Sequence, residues 1–364
     1  MPPQPPSFGS MEYWDGRFTS NSNPFEWLDA PTVLDPYLTE ALKDTKEEKP
    51  ELLHIGCGTS LLSYHLRAHV KEPDQIHNLD YSSVAVDVGR KREVEIYSVG
   101  EKHEEAGPPE ASTVVRESSG NISARNSDGQ CQLTSARSES VSPQERSEPK
   151  YMRWSAANLL SHSSLLSVCK PSAYSVIVDK STSDSIACAD DPYVFLPYPL
   201  STASNEPLPS QVERSSEPIQ PVHILAIHLA VLTKPRARWI ALSYSEDRYP
   251  FLHQRFGGSA PRSGSTSQSK TSSTPVPGST LEAERASDGL YGQLDHDLDD
   301  IPDKVFDMGL PDPSKLWRLV NKYEIEVPPP QGSPGESPIV YRPKIFHWVY
   351  ILERTDVEVF LRKE

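Results

Sequence analysis

The sequence predicts an α/β protein built on a doubly wound, mostly parallel sheet with an antiparallel edge and long disordered insertions. Three observations predict it. Short apolar runs of strand length alternate with stretches whose apolar residues recur at helical spacing. The first of those runs ends in a glycine turn, as the first strand of such sheets does. Between the regular blocks lie polar segments rich in Ser, Pro and Glu, too poor in apolar residues to offset the entropy of ordering them.

In chain order, Leu52–Ile55 is a buried-strand run, followed by the turn "GCGTS" and by "LLSYHLRAH", where Leu62 and Leu66 sit one helical turn apart. Residues 76–79 form a second strand, and "SSVAVDVGRKR" follows with Val84 and Val88 in helical spacing. "SVIV" (175–178) is another buried strand. "VHILAIHLAVLTKP" puts Leu225, Leu229 and Leu232 on one helical face and is expected to stop at Pro235. "RWIALSY" (238–244) is the next strand. "DPSKLWRLVNKY" opens with Asp312 as N-cap and Pro313 at the first helical position, and predicts a helix. "YEIEV" (323–327) and "FHWVYILER" (346–354) alternate as strands with no helix between them, so they are expected to be antiparallel.

The expected organisation is a disordered N-terminus over 1–10 and a single domain over 11–364, interrupted by low-complexity insertions at about 99–149, 201–221, 257–300 and 328–343. What remains suits one α/β domain. A mean hydropathy of −0.54 and an apolar fraction of 36 % fit a chain of 364 residues in which a good part does not pack. The net charge of −15 argues against nucleic acid as main partner, since phosphate binding needs a basic footprint, and is compatible with a basic protein partner. Cys57, Cys131, Cys169 and Cys188 form no CxxC pair and no Cys/His metal spacing, so reduced thiols and no metal site are expected. No apolar run reaches the ~20 residues of a membrane helix, and the Pro-rich start lacks a signal-peptide core. The expectation is a soluble intracellular protein, cytoplasmic with the nucleus left open, and with no membrane contact.

The chemistry centres on "LLHIGCGTS". Glycines there let the backbone approach a ligand closely. Asp80, 22 residues beyond Gly58, ends the next strand, where a carboxylate accepts hydrogen bonds from both ribose hydroxyls of an adenine nucleoside. A dinucleotide site shares these features, but Leu61 stands where the third glycine of GxGxxG belongs. That favours a nucleoside cofactor without a pyrophosphate, and no hydride-transfer set supports a nicotinamide oxidoreductase. The bland reading is a tight turn with a surface aspartate.

Several blocks in order resemble the class I (seven-β-strand) S-adenosylmethionine-dependent methyltransferases related to the elongation factor 1-alpha lysine methyltransferases. "EYWDGRF" (12–18) with "NPFEWL" (23–28) is similar to that family's N-terminal YWDxRY…YDW signature. "LLHIGCGTSLLSYHL" is similar to LxLGCGNSxLSxxL, and "NLDYSSVAVD" to DYSSxxV. "MRWSAANLL" (152–160) resembles LxWxxMDVxxL, "YSVIVDKSTSDSI" (174–186) resembles FDVVxEKGTLDAL, and "FHWVYILER" resembles the final strand. The resemblance implies a seven-stranded Rossmann-like fold, S-adenosylmethionine as cofactor and a protein lysine as acceptor, with elongation factor 1-alpha as the protein substrate.

Carried over residue by residue, the resemblance implies that Gly56 and Gly58 form the cofactor turn and that Asp80 binds the ribose. Tyr81 would flank the adenine, with Asn158 and Leu159 at its edge. Trp14, Phe18 and Trp27 would fold over the methionine end, and Lys180 lies in the loop after the fourth strand, at the ligand-binding edge of the sheet. Asp179 is the expected catalytic residue, orienting an amine that must arrive neutral in a desolvated channel. Each has a structural alternative: Trp14 and Trp27 as anchors of the N-terminal segment, Lys180 as the ion-pair partner of Asp179 or Asp184. His223 and His228 read as packing or surface residues, and Cys57 as a small residue in a glycine turn. Three departures stand out: Ser181 and Ser183 replace Gly and Leu of the KGTLD loop, Asn158 replaces an acid, and about 50 residues intervene before "MRWSAANLL". These leave open a small-molecule methyltransferase, or a non-catalytic scaffold whose Ser/Pro-rich insertions recruit partners.

Overall fold

The computed structural model describes residues 6–98, 150–204, 211–252, 301–328 and 344–362. The insertions expected at 99–149 and 257–300, and nearly all of 328–343, lie outside the described residues. Seven strands make one sheet: β1 (Leu52–Ile55), β2 (Ile76–Asp80), β3 (Arg153–Ala156), β4 (Tyr174–Lys180), β5 (Thr233–Ser243), β6 (Trp317–Glu326) and β7 (Phe346–Arg354). Their spatial order is β3-β2-β1-β4-β5-β7-β6. The first five run parallel, and β7 is antiparallel to both β5 and β6.

The central strands β1, β2 and β4 are buried at every residue, as expected where helices cover both faces. Because side chains alternate across a strand, Leu53, Ile55, Ile177 and Trp239 enter one core and Leu52, Val176, Val178 and Ile240 the other. The first core packs on α7 (Pro221–Leu232), whose residues are all buried and whose proline at the first helical position costs no hydrogen bond. The second packs on α2 (Asp35–Thr45) and α3 (Leu62–His65), the latter continued by a 3-10 turn over Leu66–His69. The remaining named helices are α1 (Met11–Ser20), α4 (Ser83–Ser98), α5 (His162–Val168) and α6 (Thr182–Ile186). Among the described residues, no helix is long and apolar enough to cross a membrane.

Three expectations are corrected. The helix predicted from Asp312 lasts one turn, Pro313–Leu316; Asp312 does cap it, accepting from Ser314 N at 2.9 Å. Trp317 then turns extended, its indole N–H donating to Ala226 O of α7 at 2.8 Å, and the following residues pair with β7. Leu319 and Val320 are exposed on this edge strand, and its pairing with β7 overrides the helix start signalled by Asp312 and Pro313. Residues 211–221, read as part of an insertion, hold a two-residue strand (Glu213–Arg214) paired with Phe195–Leu196, and bury Ile219 in the core under α7. Residues 6–10, read as part of a disordered terminus, pack against the helix they lead into: Ser10 caps α1 by accepting from Tyr13 N, and Phe8 accepts from the Trp14 indole through its carbonyl.

Candidate active site

The sheet changes winding direction at β1 and β4, and the loops at their carboxyl ends part there to form a crevice. The turn after β1 takes a left-handed backbone at Gly56 (φ +57°) and Gly58 (φ +49°), which other residues adopt only with strain. Space forbids a side chain at Gly56 as well, since a Cβ would lie 2.1 Å from Thr182 Oγ1. That hydroxyl donates to Ile55 O at 2.9 Å and stitches the loop after β4 to the end of β1. Asp80 holds the turn from the neighbouring strand: Gly58 N donates to its Oδ2 at 2.7 Å, and Ser82 N to its Oδ1 at 2.8 Å. Burial, with Asp15 nearby, lifts the Asp80 carboxyl to about 6 against the opposing pull of those hydrogen bonds.

An aromatic strap from the N-terminal segment closes over the turn. Trp14 stacks on Phe18 at 5.6 Å between centroids and meets Trp27 edge-on at 6.3 Å. Phe8 and Phe25 each pack against Trp27, at 5.4 and 5.6 Å, and the Arg17 guanidinium lies over Phe25 at 4.2 Å. Lys180 fastens this strap to the sheet. Its Nζ donates to Trp27 O and pairs with Glu26, each at 2.7 Å, and its side chain is only 3 % exposed. Burial lowers the Lys180 pKa against the pull of Glu26. The partner is therefore Glu26 and neither Asp179 nor Asp184. Glu26 also accepts from Leu61 N at 2.6 Å and Ser60 Oγ at 2.8 Å, at the start of the helix beyond the turn.

Between strap and sheet edge lies an open cleft lined by the strap, the glycine turn and the strand ends. The ten expected ligand-binding residues all line it: Trp14, Phe18 and Trp27 from the strap, Gly56 and Gly58 from the turn, Asp80 and Tyr81 after β2, Asn158 and Leu159 after β3, and Lys180 at the end of β4. Asn158 accepts from Leu160 N at 2.8 Å through Oδ1, which fixes the amide orientation and leaves its N–H₂ and a second oxygen lone pair for other partners. Leu159 is held from behind, its carbonyl accepting from His228 Nδ1 at 2.8 Å, so His228 is a packing residue with a bond to the site wall.

Asp179 is the exception. It is fully buried and does not line the cavity. Its Oδ1 accepts from Thr182 N (2.9 Å) and Ser183 N (3.3 Å), while Oδ2 accepts from Ser183 Oγ and from the Trp239 indole at 3.3 Å. A carboxylate spent on four donors inside the protein organises the loop after β4 and is not available to an acceptor amine.

Sequence reasoning missed Phe8, Phe25, Glu26, His54 and Thr182. His54 lies in β1 and lines the cavity; burial lowers its pKa to about 4, so the ring is neutral. Its Nδ1 meets Asn78 Oδ1 at 3.0 Å, and since an amide oxygen only accepts, the ring proton sits on Nδ1. Glu26 and Phe25 stand inside the quoted block "NPFEWL" and were legible there; His54 gave only the look of an interior strand residue.

No family model matches the chain. A methyltransferase named srdJ from Neurospora crassa is 27 % identical over 193 residues, covering 53 % of this chain and 60 % of that protein. The match thus spans less than two thirds of that relative's length. Among solved structures, magnesium protoporphyrin IX methyltransferase from Synechocystis is 9 % identical with a TM-score of 0.38, covering 98 % of this chain and 100 % of that one. The N-methyltransferase NodS from Bradyrhizobium japonicum is 10 % identical with a TM-score of 0.38, covering 97 % and 100 %. The strand order carries the assignment by itself: with a glycine turn after β1 and a reversed β7 between β5 and β6, the chain has the seven-stranded, Rossmann-like fold of the class I methyltransferases.

Proposed function

We propose that the protein is an S-adenosylmethionine-dependent methyltransferase whose acceptor is a lysine of a protein substrate, elongation factor 1-alpha being the one the family resemblance implies. The observation that carries the cofactor reading is the union, in one cavity, of the Gly56–Gly58 turn, Asp80 bonded to it, and the aromatic strap. The lining fits the group. Asp80 retains acceptor capacity for two ribose hydroxyls, the missing Cβ at Gly58 keeps the backbone open beside Phe18, and Asn158 offers an amide to a base edge. The faces of Trp14 and Phe18 suit a sulfonium, a cation without hydrogen-bond donors.

Bound S-adenosylmethionine supplies an electrophilic methyl group for in-line displacement. The chain's own residues align and dry the site. Asp80 fixes the ribose, and the strap, pinned by Lys180 and Glu26, excludes water from the methionine end. Phe8, Phe25 and Trp27 provide walls on which an aliphatic amine can rest. Of the described residues lining the cavity Asp80 and Lys180 carry charge, and both are bonded to protein groups, so the acceptor nitrogen has to arrive neutral and release its proton to solvent. A cytoplasmic site of action goes with such an acceptor.

A second reading, a small apolar molecule as acceptor, is favoured by the same lack of a free carboxylate beside the aromatic walls. The first test is calorimetric binding of S-adenosylmethionine and S-adenosylhomocysteine to wild type and Asp80→Ala, where the substitution is expected to weaken binding by at least about tenfold. A folded wild type that binds neither supports the non-catalytic scaffold. Transfer of labelled methyl to elongation factor 1-alpha, abolished by lysine substitution in that protein, separates the two acceptor classes.

A further inference from the structure

Asp35, His65 and His69 gather at a place that no part of the methyl-transfer reading uses, and none of them lines the cavity. His65 closes α3 and His69 closes the 3-10 turn that continues it, so the two rings stand four residues apart on one side of the helix. Asp35 is the first residue of α2, which packs alongside. Both imidazole Nε2 atoms are directed at one carboxylate oxygen: His65 Nε2 lies 2.5 Å and His69 Nε2 2.9 Å from Asp35 Oδ1.

Two rings share one carboxylate oxygen by hydrogen bonds, where an ordinary ion pair needs one ring, and this brings ligand-type atoms of three residues together. Three donor atoms lie within 4.8 Å of one another. An ion held at ~2.0–2.2 Å by each would sit between donors roughly 3.3 Å apart, so the Asp35 side chain need only draw back by less than 1 Å. The side chains of His65, His69 and Asp35 are 25 %, 14 % and 37 % exposed, which gives an ion a path in and a water for the fourth position. Two imidazoles with one carboxylate select zinc and its neighbours over magnesium and calcium, which prefer all-oxygen sets. Spacing of two histidines by four residues on a helix is itself a zinc-binding arrangement.

We propose that Asp35, His65 and His69 bind one divalent cation of the zinc class, with solvent completing the coordination. The site joins the same two segments that Glu26 joins at the cavity: the N-terminal stretch carrying the strap, which runs through Pro31–Leu34 into Asp35, and the helix that starts beyond the glycine turn. Its metal is therefore a structural clip behind the strap and takes no part in methyl transfer. In the sequence only the spacing of His65 and His69 hints at it, because the carboxylate lies 30 residues before the first histidine.

The test uses the full chain, stripped with a chelator and titrated with zinc chloride alone by calorimetry, and with cobalt(II) followed by visible absorption. One zinc per chain is expected, with a cobalt d–d band of low-coordinate type and a higher melting temperature in zinc. His65→Gln and His69→Gln should each weaken zinc binding by at least about tenfold and remove the thermal gain. Glutamine keeps an N–H for Asp35, and circular dichroism of these variants separates lost ligation from lost folding. His347→Gln, which removes the ring of a second His–Asp pair with Asp29, should change nothing in zinc affinity. Absence of saturable binding up to about 1 mM zinc overturns the site, as does binding that survives both histidine substitutions.

Discussion

The ends of β2 and β4 carry the same device with opposite outcomes. Asp80 and Asp179 are each the carboxylate at or near the end of a central parallel strand, each buried, each accepting two backbone N–H groups from the loop that follows or adjoins it. Burial lifts both to about 6. Yet Asp80 faces the cavity, while Asp179 also takes the Ser183 hydroxyl and the Trp239 indole and faces only protein. An acid at the carboxyl edge of such a sheet is thus not a catalytic group by position alone; what decides is how many of its lone pairs the protein has already filled.

The largest effect that could break this comparison is on stability. Asp179→Ala leaves the Thr182 and Ser183 amides and the Trp239 indole without an acceptor in a site closed to water. It should cost about 3–5 kcal/mol in urea denaturation. Asp80→Ala frees two amides at a wall that water reaches, and should cost about 1–2 kcal/mol while removing cofactor binding. An Asp179→Ala protein of wild-type stability that binds cofactor but no longer transfers methyl would return Asp179 to a chemical role.

The two turn glycines sharpen the contrast next. Gly56→Ala meets Thr182 Oγ1 at 2.1 Å and adds a left-handed alanine, so a loss of about 2–4 kcal/mol is expected, partly recovered by Thr182→Ala. At Gly58 a Cβ meets only the Phe18 ring edge, at 3.3 Å. Gly58→Ala should therefore spare more stability than Gly56→Ala and lose more cofactor affinity than stability, a pattern that denaturation and calorimetry on the same two variants will read directly.

A smaller effect follows from protonation. Ribose hydroxyls donate to the ionised Asp80, so binding favours a form that in the free protein predominates only above about 6. Affinity should be flat above neutrality and fall as pH drops through 6, reaching about a tenfold loss near pH 5. Asp179, fully engaged and remote from the cavity, should leave no trace in that profile. An affinity flat from pH 5 to 8 would contradict Asp80 as the ribose acceptor.

Much of this was legible in the sequence, and the illegible part has physical causes. Leu52–Ile55 is read to the residue, because a strand buried on both faces must be an unbroken apolar run. The cavity residues were legible because turn, strand end and aromatic block keep their order in the chain. β6 was legible only over 323–326: its first half follows a capped helix start at Asp312 and Pro313, and pairing with the strand beyond 343 is what makes it extended. Asp179 was misassigned because its saturation depends on Trp239, 60 residues on, and on Ser183, whose hydroxyl replaces a leucine in the resembled motif. That departure now has a reason, since Ser183 bonds Asp179 and accepts from the Tyr249 hydroxyl at 3.1 Å.

The smallest effect concerns the neighbouring departure, Ser181, which stands where the resembled motif has glycine. Its backbone is left-handed, φ +67°, the conformation a glycine adopts without strain and a serine adopts at a cost of about 1 kcal/mol. Two hydrogen bonds hold it there: Ser181 N donates to Leu242 O at 2.8 Å, and Ser181 Oγ to Asp184 Oδ2 at 2.6 Å. Asp184 is further held by Ser243 Oγ at 2.5 Å and Arg248 Nε at 2.8 Å, so it keeps partners when the serine hydroxyl goes. Ser181→Gly therefore exchanges one charge-assisted bond for relief of backbone strain, and both changes are of similar size. The net change in stability should stay within about 1 kcal/mol. Ser181→Ala, which loses the bond and keeps the strain, should be the less stable of the two. A glycine variant that instead loses several kcal/mol would mean that the Ser181–Asp184 bond, and not the backbone shape inherited from the motif, is what sets the loop between β4 and α6.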